Sequence, residues 1–80
     1  MYIVSLSYTR PMADVEALLD AHHNWLDHYF SNGIFLAAGW KDPHTGGVII
    51  TCDIDRDQLD AILTENAFTA VASYEVTKPA

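Results

Sequence analysis

Eighty residues, half of them hydrophobic, are enough for one small domain with a modest core and exclude a disordered segment. Eleven acidic against four basic side chains give a formal net charge of −7, which is the wrong sign for binding a nucleic acid backbone or an anionic membrane surface. The sequence has no apolar run long enough to cross a bilayer, and it opens on a strand-like segment instead of a basic leader. We therefore expect one cytoplasmic domain over residues 1–80, with neither nucleic acid nor membrane as a partner.

The first half of the chain predicts a strand followed by a long helix. Aromatic and β-branched residues favour a strand from Tyr2 to Tyr8, and Pro11 is well tolerated in the first turn of a helix. That helix is predicted to run from Met12 to Asn32 and to end at Gly33, which can adopt the left-handed cap conformation. Its apolar residues recur at helical period and form one stripe: Val15, Leu18, Leu19, Leu26, Tyr29 and Phe30.

The second half predicts a hairpin, a second helix and a last strand. Ile34–Trp40 and Val48–Cys52 are apolar strands separated by a turn-rich loop. A helix follows Asp55, which together with Gln58 matches a capping box, and Ala72–Thr77 is the last strand. The order β-α-β-β-α-β predicts an α+β fold of the ferredoxin-like class, in which two helices cover one face of an antiparallel four-stranded sheet.

The predicted strands carry apolar residues on both sides, although two helices cover only one side of the sheet. The neighbouring residues Phe35 and Leu36, for example, face opposite ways in a strand. Burying an exposed apolar sheet face is worth on the order of 25 cal/mol per Å² before the costs of association. We therefore expect a homodimer in which two sheets close on each other. Whether such dimers assemble further is left open. The alternative is a monomer with an apolar sheet surface.

His22 lies near the middle of the helix stripe, where leucine would be the usual residue. An imidazole buried without a partner costs free energy, so its nitrogens need hydrogen-bond partners. We therefore predict that His22 lines a cleft between helix and sheet and can accept a proton; the alternative is a hydrogen-bonded core histidine. No metal or other cofactor is predicted, because His22, His23 and His28 lack the i, i+4 spacing that places two ligands on one helix face.

The sequence resembles the YciI-like (YCII-related) family over nearly its full length. Ala21–Leu26 (Ala-His-His-Asn-Trp-Leu) is similar to the family's Ala-His-Arg-x-aromatic-Leu pattern. The segment Phe35–Gly39 is followed by Pro43–Ile49, which is close to the family's Pro-Arg-Thr-Gly-Gly-Val-Ile. Glu65–Phe68 (Glu-Asn-Ala-Phe) stands where the family usually has Glu-Asp-Pro-Phe. The resemblance implies a dimeric α/β barrel built from ferredoxin-like protomers.

The resemblance also implies a dyad of a histidine from the first helix and an aspartate from the Asp-Pro-Phe stretch. His22 matches the histidine, but Asn66 stands in place of the aspartate. An asparagine can orient the imidazole by a hydrogen bond, but it carries no charge to raise the pKa of the ring. Glu65 is the alternative acid. Four further residues are predicted to contact a small molecule: Ser7, Trp25, Gly39 and Phe68.

Two functions are consistent with these residues. In the first, which the resemblance implies, the protein is a cofactor-free enzyme that uses His22 as general base for proton transfer or elimination on a small molecule, for which an aromatic compound is one option. In the second, it is a non-catalytic small-molecule-binding or accessory module that kept the pocket and lost the acid. A haem- or quinone-handling protein is a weaker third alternative, since the sequence shows no further axial-ligand pattern.

Overall fold

An antiparallel four-stranded sheet with strand order β2-β3-β1-β4 underlies the computed structural model, which describes residues 1–80. This confirms the predicted α+β architecture of the ferredoxin-like class. No helix in it combines the length and the apolar composition that crossing a membrane requires. The elements are β1 (Tyr2–Tyr8), α1 (Met12–Glu16), α2 (Leu19–Ser31), β2 (Phe35–Trp40), β3 (Gly46–Thr51), α3 (Arg56–Thr64), a 3-10 helix (Ala67–Ala70) and β4 (Ala72–Thr77).

The core lies on one face of the sheet because β1 alternates. Val4 and Leu6 point towards the helices and are almost fully buried, and Ile49 lies beside Val4 in β3. The helices close this face with Trp25 from α2 and Leu59 from α3, both buried. The apolar stripes read from the sequence therefore meet over the two central strands.

The first helical segment is two helices, which corrects the single helix predicted from Met12 to Asn32. The N–H of Leu18 donates to the carbonyl oxygen of Val15, three residues back, and the Leu18 dihedral angles (φ −107°, ψ 4°) lie outside the α-helical region. Leu18 and Leu19 are adjacent in sequence, yet both pack against the core. Both leucine side chains thus contact the core from the junction that joins α1 to α2.

The end of α2 is as predicted. Gly33 has φ +80°, the left-handed region that glycine enters without steric cost. Its N–H donates to the carbonyl oxygen of Phe30, and the N–H of Ile34 donates to that of Tyr29. These two bonds form a Schellman motif, which satisfies the last carbonyl groups of the helix and directs the chain into β2.

Two predictions at the other junctions need correction. Asp55 precedes α3, but its side chain makes no capping hydrogen bond, so the predicted capping box does not form. β3 starts at Gly46, two residues earlier than predicted. A Cβ atom at Gly46 would lie 1.8 Å from the carbonyl oxygen of Leu6, so only glycine lets β1 and β3 pair along this end.

The opposite face of the sheet carries no helix. Ile3 and Ile50 pair across β1 and β3 on this face and are half-buried, and Ala37 in β2 is exposed. Ser7 also lies here, where its Oγ accepts a hydrogen bond from Lys41 Nζ at 3.2 Å. The homodimer stays a prediction, which sedimentation of the purified chain would check.

Candidate functional site

A cavity of about 290 Å³ lies between α2 and the β2–β3 side of the sheet. Its walls are mostly apolar, with Leu26 and Phe30 contributed by α2 and Ile49 by β3. Phe30 and Trp40 line it and remain 37% and 51% exposed, so the cavity opens towards the β2 edge of the sheet. The volume lies at the lower end of the range for small-molecule sites, which limits a ligand to a small molecule.

His22 is the buried polar side chain in this wall. It faces the sheet from α2 and is only 5% exposed. Its ring stacks on Phe68, with centroids 3.9 Å apart and planes inclined by 5°. Its Nδ1 lies 2.9 Å from the Oδ1 of Asn66. The structure thus brings together the two residues predicted as a dyad, and their catalytic role stays a prediction.

Two further hydrogen bonds fix the orientation of the Asn66 amide. Its Oδ1 accepts from the N–H of Phe68 at 3.1 Å and thereby caps the 3-10 helix. Its Nδ2 donates to the hydroxyl oxygen of Tyr74, also at 3.1 Å. Because a backbone N–H can only donate, the amide oxygen must face Phe68, and the same oxygen faces His22. Asn66 is 1% exposed, so this arrangement is held inside the protein.

The Asn66 contact fixes the tautomer of the neutral His22 ring. The amide oxygen only accepts, so His22 Nδ1 must carry the proton and Nε2 has a free lone pair. Nε2 has no hydrogen bond within the protein, and no fully buried side-chain nitrogen or oxygen lacks a partner, so this atom keeps accessible surface in a ring that lines the cavity. The site therefore presents a proton acceptor to any molecule bound there.

Burial keeps this acceptor uncharged. Removing the ring from water lowers the pKa of His22, the hydrogen bond to Asn66 opposes that shift, and the nearby His23 adds to it. The net direction is downward from the ordinary value of 6.5, so the imidazole is neutral at neutral pH. An aspartate in place of Asn66 would have pulled the pKa the other way.

Glu65 does not take the place of the missing aspartate. Its Oε1 accepts a hydrogen bond from the hydroxyl of Tyr29 at 2.5 Å. That hydrogen bond, with burial and the negative charge as further causes, raises the pKa of Tyr29 to about 12. Asn66 already occupies the Nδ1 of His22. The alternative in which Glu65 orients the imidazole is therefore corrected.

The E65Q substitution tests this assignment. We expect the pKa of Tyr29 to fall from about 12 towards its ordinary value of 10.0, because the variant amide carries no charge to hold the tyrosine proton. The ¹³Cζ chemical shift of Tyr29 measured against pH would report the change. The titration of His22 in the same sample is the control, and a large shift of its pKa would show that the carboxylate acts on the imidazole instead.

The four residues predicted to contact a small molecule divide into two pairs. Phe68 and Gly39 line the cavity. Trp25 is a core residue whose Nε1 donates to the carbonyl oxygen of Ile62 at 3.0 Å, and it does not reach the cavity. Ser7 lies on the opposite face of the sheet, because alternation along β1 turns it away from the face that carries Leu6. The predictions for Trp25 and Ser7 are corrected accordingly.

Sequence reasoning missed a second polar pair at this cavity. Tyr8 lines the wall, and its hydroxyl lies 3.1 Å from the Nε2 of His44. Burial raises the pKa of Tyr8 above its ordinary value. The alternation of β1, which places Tyr8 on the face of Leu6, was the available signal. The position of His44 was not readable, because it depends on how the loop after β2 returns along the end of β1.

The histidines do not gather into a metal site. No three His, Cys, Asp or Glu side chains lie close enough together to hold an ion. The closest histidine pair, His22 and His23, has ring centroids 6.0 Å apart, and His23 is exposed while His22 is buried. The single cysteine, Cys52, is half-buried and does not line the cavity.

One comparison with known proteins identifies a family. The model of the YCII-related domain matches residues 1–78, which spans every residue that lines the cavity and Asn66 behind it. No curated protein matches the chain. The match thus covers both members of the candidate dyad and extends over nearly the whole chain.

Proposed function

This chain belongs to the YCII-related domain family, and from that premise we propose that it binds a small molecule and accepts a proton from it at His22 Nε2, without a cofactor. The observation that supports this most is the hydrogen bond between His22 Nδ1 and Asn66 Oδ1. That bond holds the ring in one tautomer and leaves the free lone pair on the nitrogen next to the cavity. The reaction class is proton transfer or elimination.

The electrostatics of the pair indicate which protons it can take. A general base must be unprotonated before it reacts, and the lowered pKa of His22 meets this requirement at neutral pH. When Nε2 takes a proton, Asn66 stabilises the imidazolium by a hydrogen bond but adds no negative charge. The base is therefore weak, and its best match is a molecule whose proton is acidified by a neighbouring group, such as a proton on the carbon next to a carbonyl.

The cavity wall narrows the class of ligand. No lysine or arginine lines it, and Asp27 is its one carboxylate. Histidine is the only side chain of the wall that can carry a positive charge, so an anion would find no permanent cation and a neutral molecule is favoured. The rings of Phe30, Trp40 and Phe68 offer flat apolar surfaces, which suit a planar or aromatic body.

A non-catalytic binding module is the second candidate. The observation in its favour is Asn66 itself, because a neutral amide gives less support to an imidazolium than a carboxylate would. In such a module His22 Nε2 accepts a hydrogen bond from the ligand, and no proton leaves the molecule. Both candidates need the same tautomer and the same cavity, so proton exchange separates them and binding alone does not.

Nitrogen-15 NMR with phenol as the probe tests the role of His22. We expect the neutral ring to carry its proton on Nδ1, and phenol to shift the ¹⁵Nε2 resonance because its hydroxyl donates to that atom. Anisole, which has no donor, should bind about fivefold more weakly, as one hydrogen bond is worth roughly 1 kcal/mol. The H22Q variant should lose this preference.

The control for that experiment is H28Q, which changes an exposed histidine of the same helix. It should keep the preference for phenol over anisole. A ring that carries its proton on Nε2, or equal affinities for phenol and anisole in the unmodified protein, would contradict the proposed function.

A further inference from the structure

Tyr8 and His44 form the one other polar pair in contact with the cavity wall that the dyad does not use. The hydroxyl of Tyr8 is within hydrogen-bond distance of His44 Nε2, and the two rings meet edge to face at 5.5 Å. His44 also packs against Trp40, with centroids 4.4 Å apart. Tyr8 and Trp40 both line the cavity, so His44 contacts two residues of its wall.

A continuous row of rings connects this pair to the proposed base. Tyr8 meets Phe68 edge to face at 6.0 Å, and Phe68 stacks on His22 at 3.9 Å. One ring therefore separates the tyrosine from the imidazole along the same wall. Both polar residues thus border the part of the cavity that Phe68 lines.

We propose that Tyr8 is a second ligand-contacting residue of this cavity, whose hydroxyl donates a hydrogen bond to the carbonyl oxygen of a small, uncharged carbonyl compound. The inference rests on the proposed function, because His22 Nε2 takes the proton from the carbon next to that carbonyl. Enolisation requires a base beside the α-carbon and a hydrogen-bond donor beside the neighbouring carbonyl oxygen, and His22 and Tyr8, which both contact Phe68, are the residues of this wall that can supply them.

The step balances without an oxidant, a reductant or a second substrate. His22 Nε2 takes the proton, and the electron pair of the broken C–H bond forms the new carbon–carbon double bond. The carbonyl π pair moves to oxygen, where the hydroxyl of Tyr8 stabilises the negative charge. When Nε2 returns the proton to the same carbon, the ketone is regenerated. When Nε2 delivers the proton to another carbon of a conjugated enolate, the product is an isomer of the starting ketone.

The surroundings of Tyr8 fit a donor. Burial raises its pKa, so the hydroxyl keeps its proton at neutral pH. When His44 Nε2 carries a proton it donates to the Tyr8 oxygen, and the tyrosine proton is then free for the ligand. His44 is exposed, so water can hydrogen-bond to its Nδ1 in either tautomer, and the proton can occupy Nε2 when the carbonyl compound binds. His44 is therefore a positioning residue.

Deuterium exchange of cyclohexanone tests the proposal. The intact protein is placed in D₂O with this ketone, and the loss of its α-proton signals is followed by NMR against an equal concentration of free imidazole. We expect faster exchange with the protein than with imidazole. The Y8F variant keeps the aromatic contact with Phe68 and loses only the hydroxyl, so kcat should fall roughly 100-fold, as on removal of one oxyanion donor, with little change in KM.

Two further variants complete the design. Y2F changes a tyrosine on the same strand and the same sheet face, but outside the cavity, and it should leave the exchange rate unchanged. H44F keeps a ring next to Trp40 and removes the hydrogen bond to Tyr8, so it should lower kcat without raising KM. Because His44 is exposed, H44F provides a second measurement if Y8F fails to fold.

The outcomes separate this inference from the proposed function. Unchanged exchange in Y8F, or in H44F if Y8F does not fold, together with loss of exchange in H22Q would overturn the role of Tyr8 and leave the base intact. If exchange with the protein is no faster than with imidazole, the proposal of a carbonyl ligand is overturned. The phenol titration then decides independently whether His22 Nε2 contacts a ligand.

Discussion

N66A is expected to lower the free energy of unfolding by on the order of 4 kcal/mol, because one substitution removes Asn66 from two buried partners and one half-buried partner. The His22 Nδ1–H and the Phe68 N–H lose their common acceptor, and the Tyr74 hydroxyl loses its donor. The site is 1% exposed, so water does not replace these bonds without a change in packing. For a domain whose total stability is roughly 5–15 kcal/mol, this is a large fraction.

Urea unfolding followed by circular dichroism would measure the loss, with the slope against urea concentration compared between proteins so that a change in the denatured state is recognised. N24A is the matched control, since Asn24 is an exposed asparagine on α2. Its substitution should change stability by less than about 0.5 kcal/mol. A loss of under about 1 kcal/mol in N66A would show that the three bonds do not hold the 3-10 helix against His22.

N66D is expected to invert the pH dependence that His22 gives to stability. In the unmodified protein burial holds the native pKa of His22 below its ordinary value of 6.5. Between pH 6.5 and the lowered native pKa, His22 is mostly protonated in the unfolded chain and mostly neutral in the native protein. The contribution of His22 to stability is therefore complete above this pH and is lost on acidification, until the native ring also titrates.

A carboxylate at position 66 reverses the sign of this pH dependence. It favours the imidazolium, so the native pKa of His22 should rise above the unfolded value. The native state then holds the proton more tightly than the unfolded chain, and the extra stability is present below the unfolded pKa and is lost as the pH rises through the raised native pKa. The other contacts can persist, because a carboxylate accepts from Phe68 N–H and the Tyr74 hydroxyl can turn to donate.

The measurement is the free energy of unfolding across roughly pH 5.5–8, where histidine titrates and most carboxylates do not. The contribution should rise with pH in the unmodified protein and fall with pH in N66D, after subtraction of the same curve for H22Q in each background. NMR titration of His22 gives the native pKa directly. An unmoved pKa in N66D would mean that the charge at position 66 does not act on the imidazole.

N66D also separates the two proposed functions. If the chain is an enzyme with a weakened base, N66D should strengthen proton abstraction from a ketone, because the carboxylate stabilises the imidazolium that forms. If the chain is a binding module, N66D changes the pKa of His22 while the unmodified protein exchanges no protons. The uncharged amide at position 66, where the family resemblance implies an aspartate, is thus the feature that N66D tests.

The element order and the position of His22 were readable from the sequence because both depend on local periodicity. Alternation along β1 places Val4 and Leu6 on the buried face, and the helical period places His22 in the stripe of α2. Gly33 likewise has a conformation that few other residues adopt easily. Each of these depends on residues only a few positions apart, which a single sequence displays.

Periodicity did not show how the site is connected; the family resemblance suggested that His22 and Asn66 pair, and the tertiary structure gave the contacts. The His22–Asn66 bond joins residues 44 positions apart and the Tyr8–His44 bond joins residues 36 positions apart. No period in the sequence relates such pairs, because the return of the chain over the sheet sets their distance and orientation. The same packing places Trp25 in the core and brings Glu65 into a hydrogen bond with Tyr29. Composition and periodicity therefore determined the fold and one inward histidine, while the tautomer of that histidine followed from the packing around Asn66.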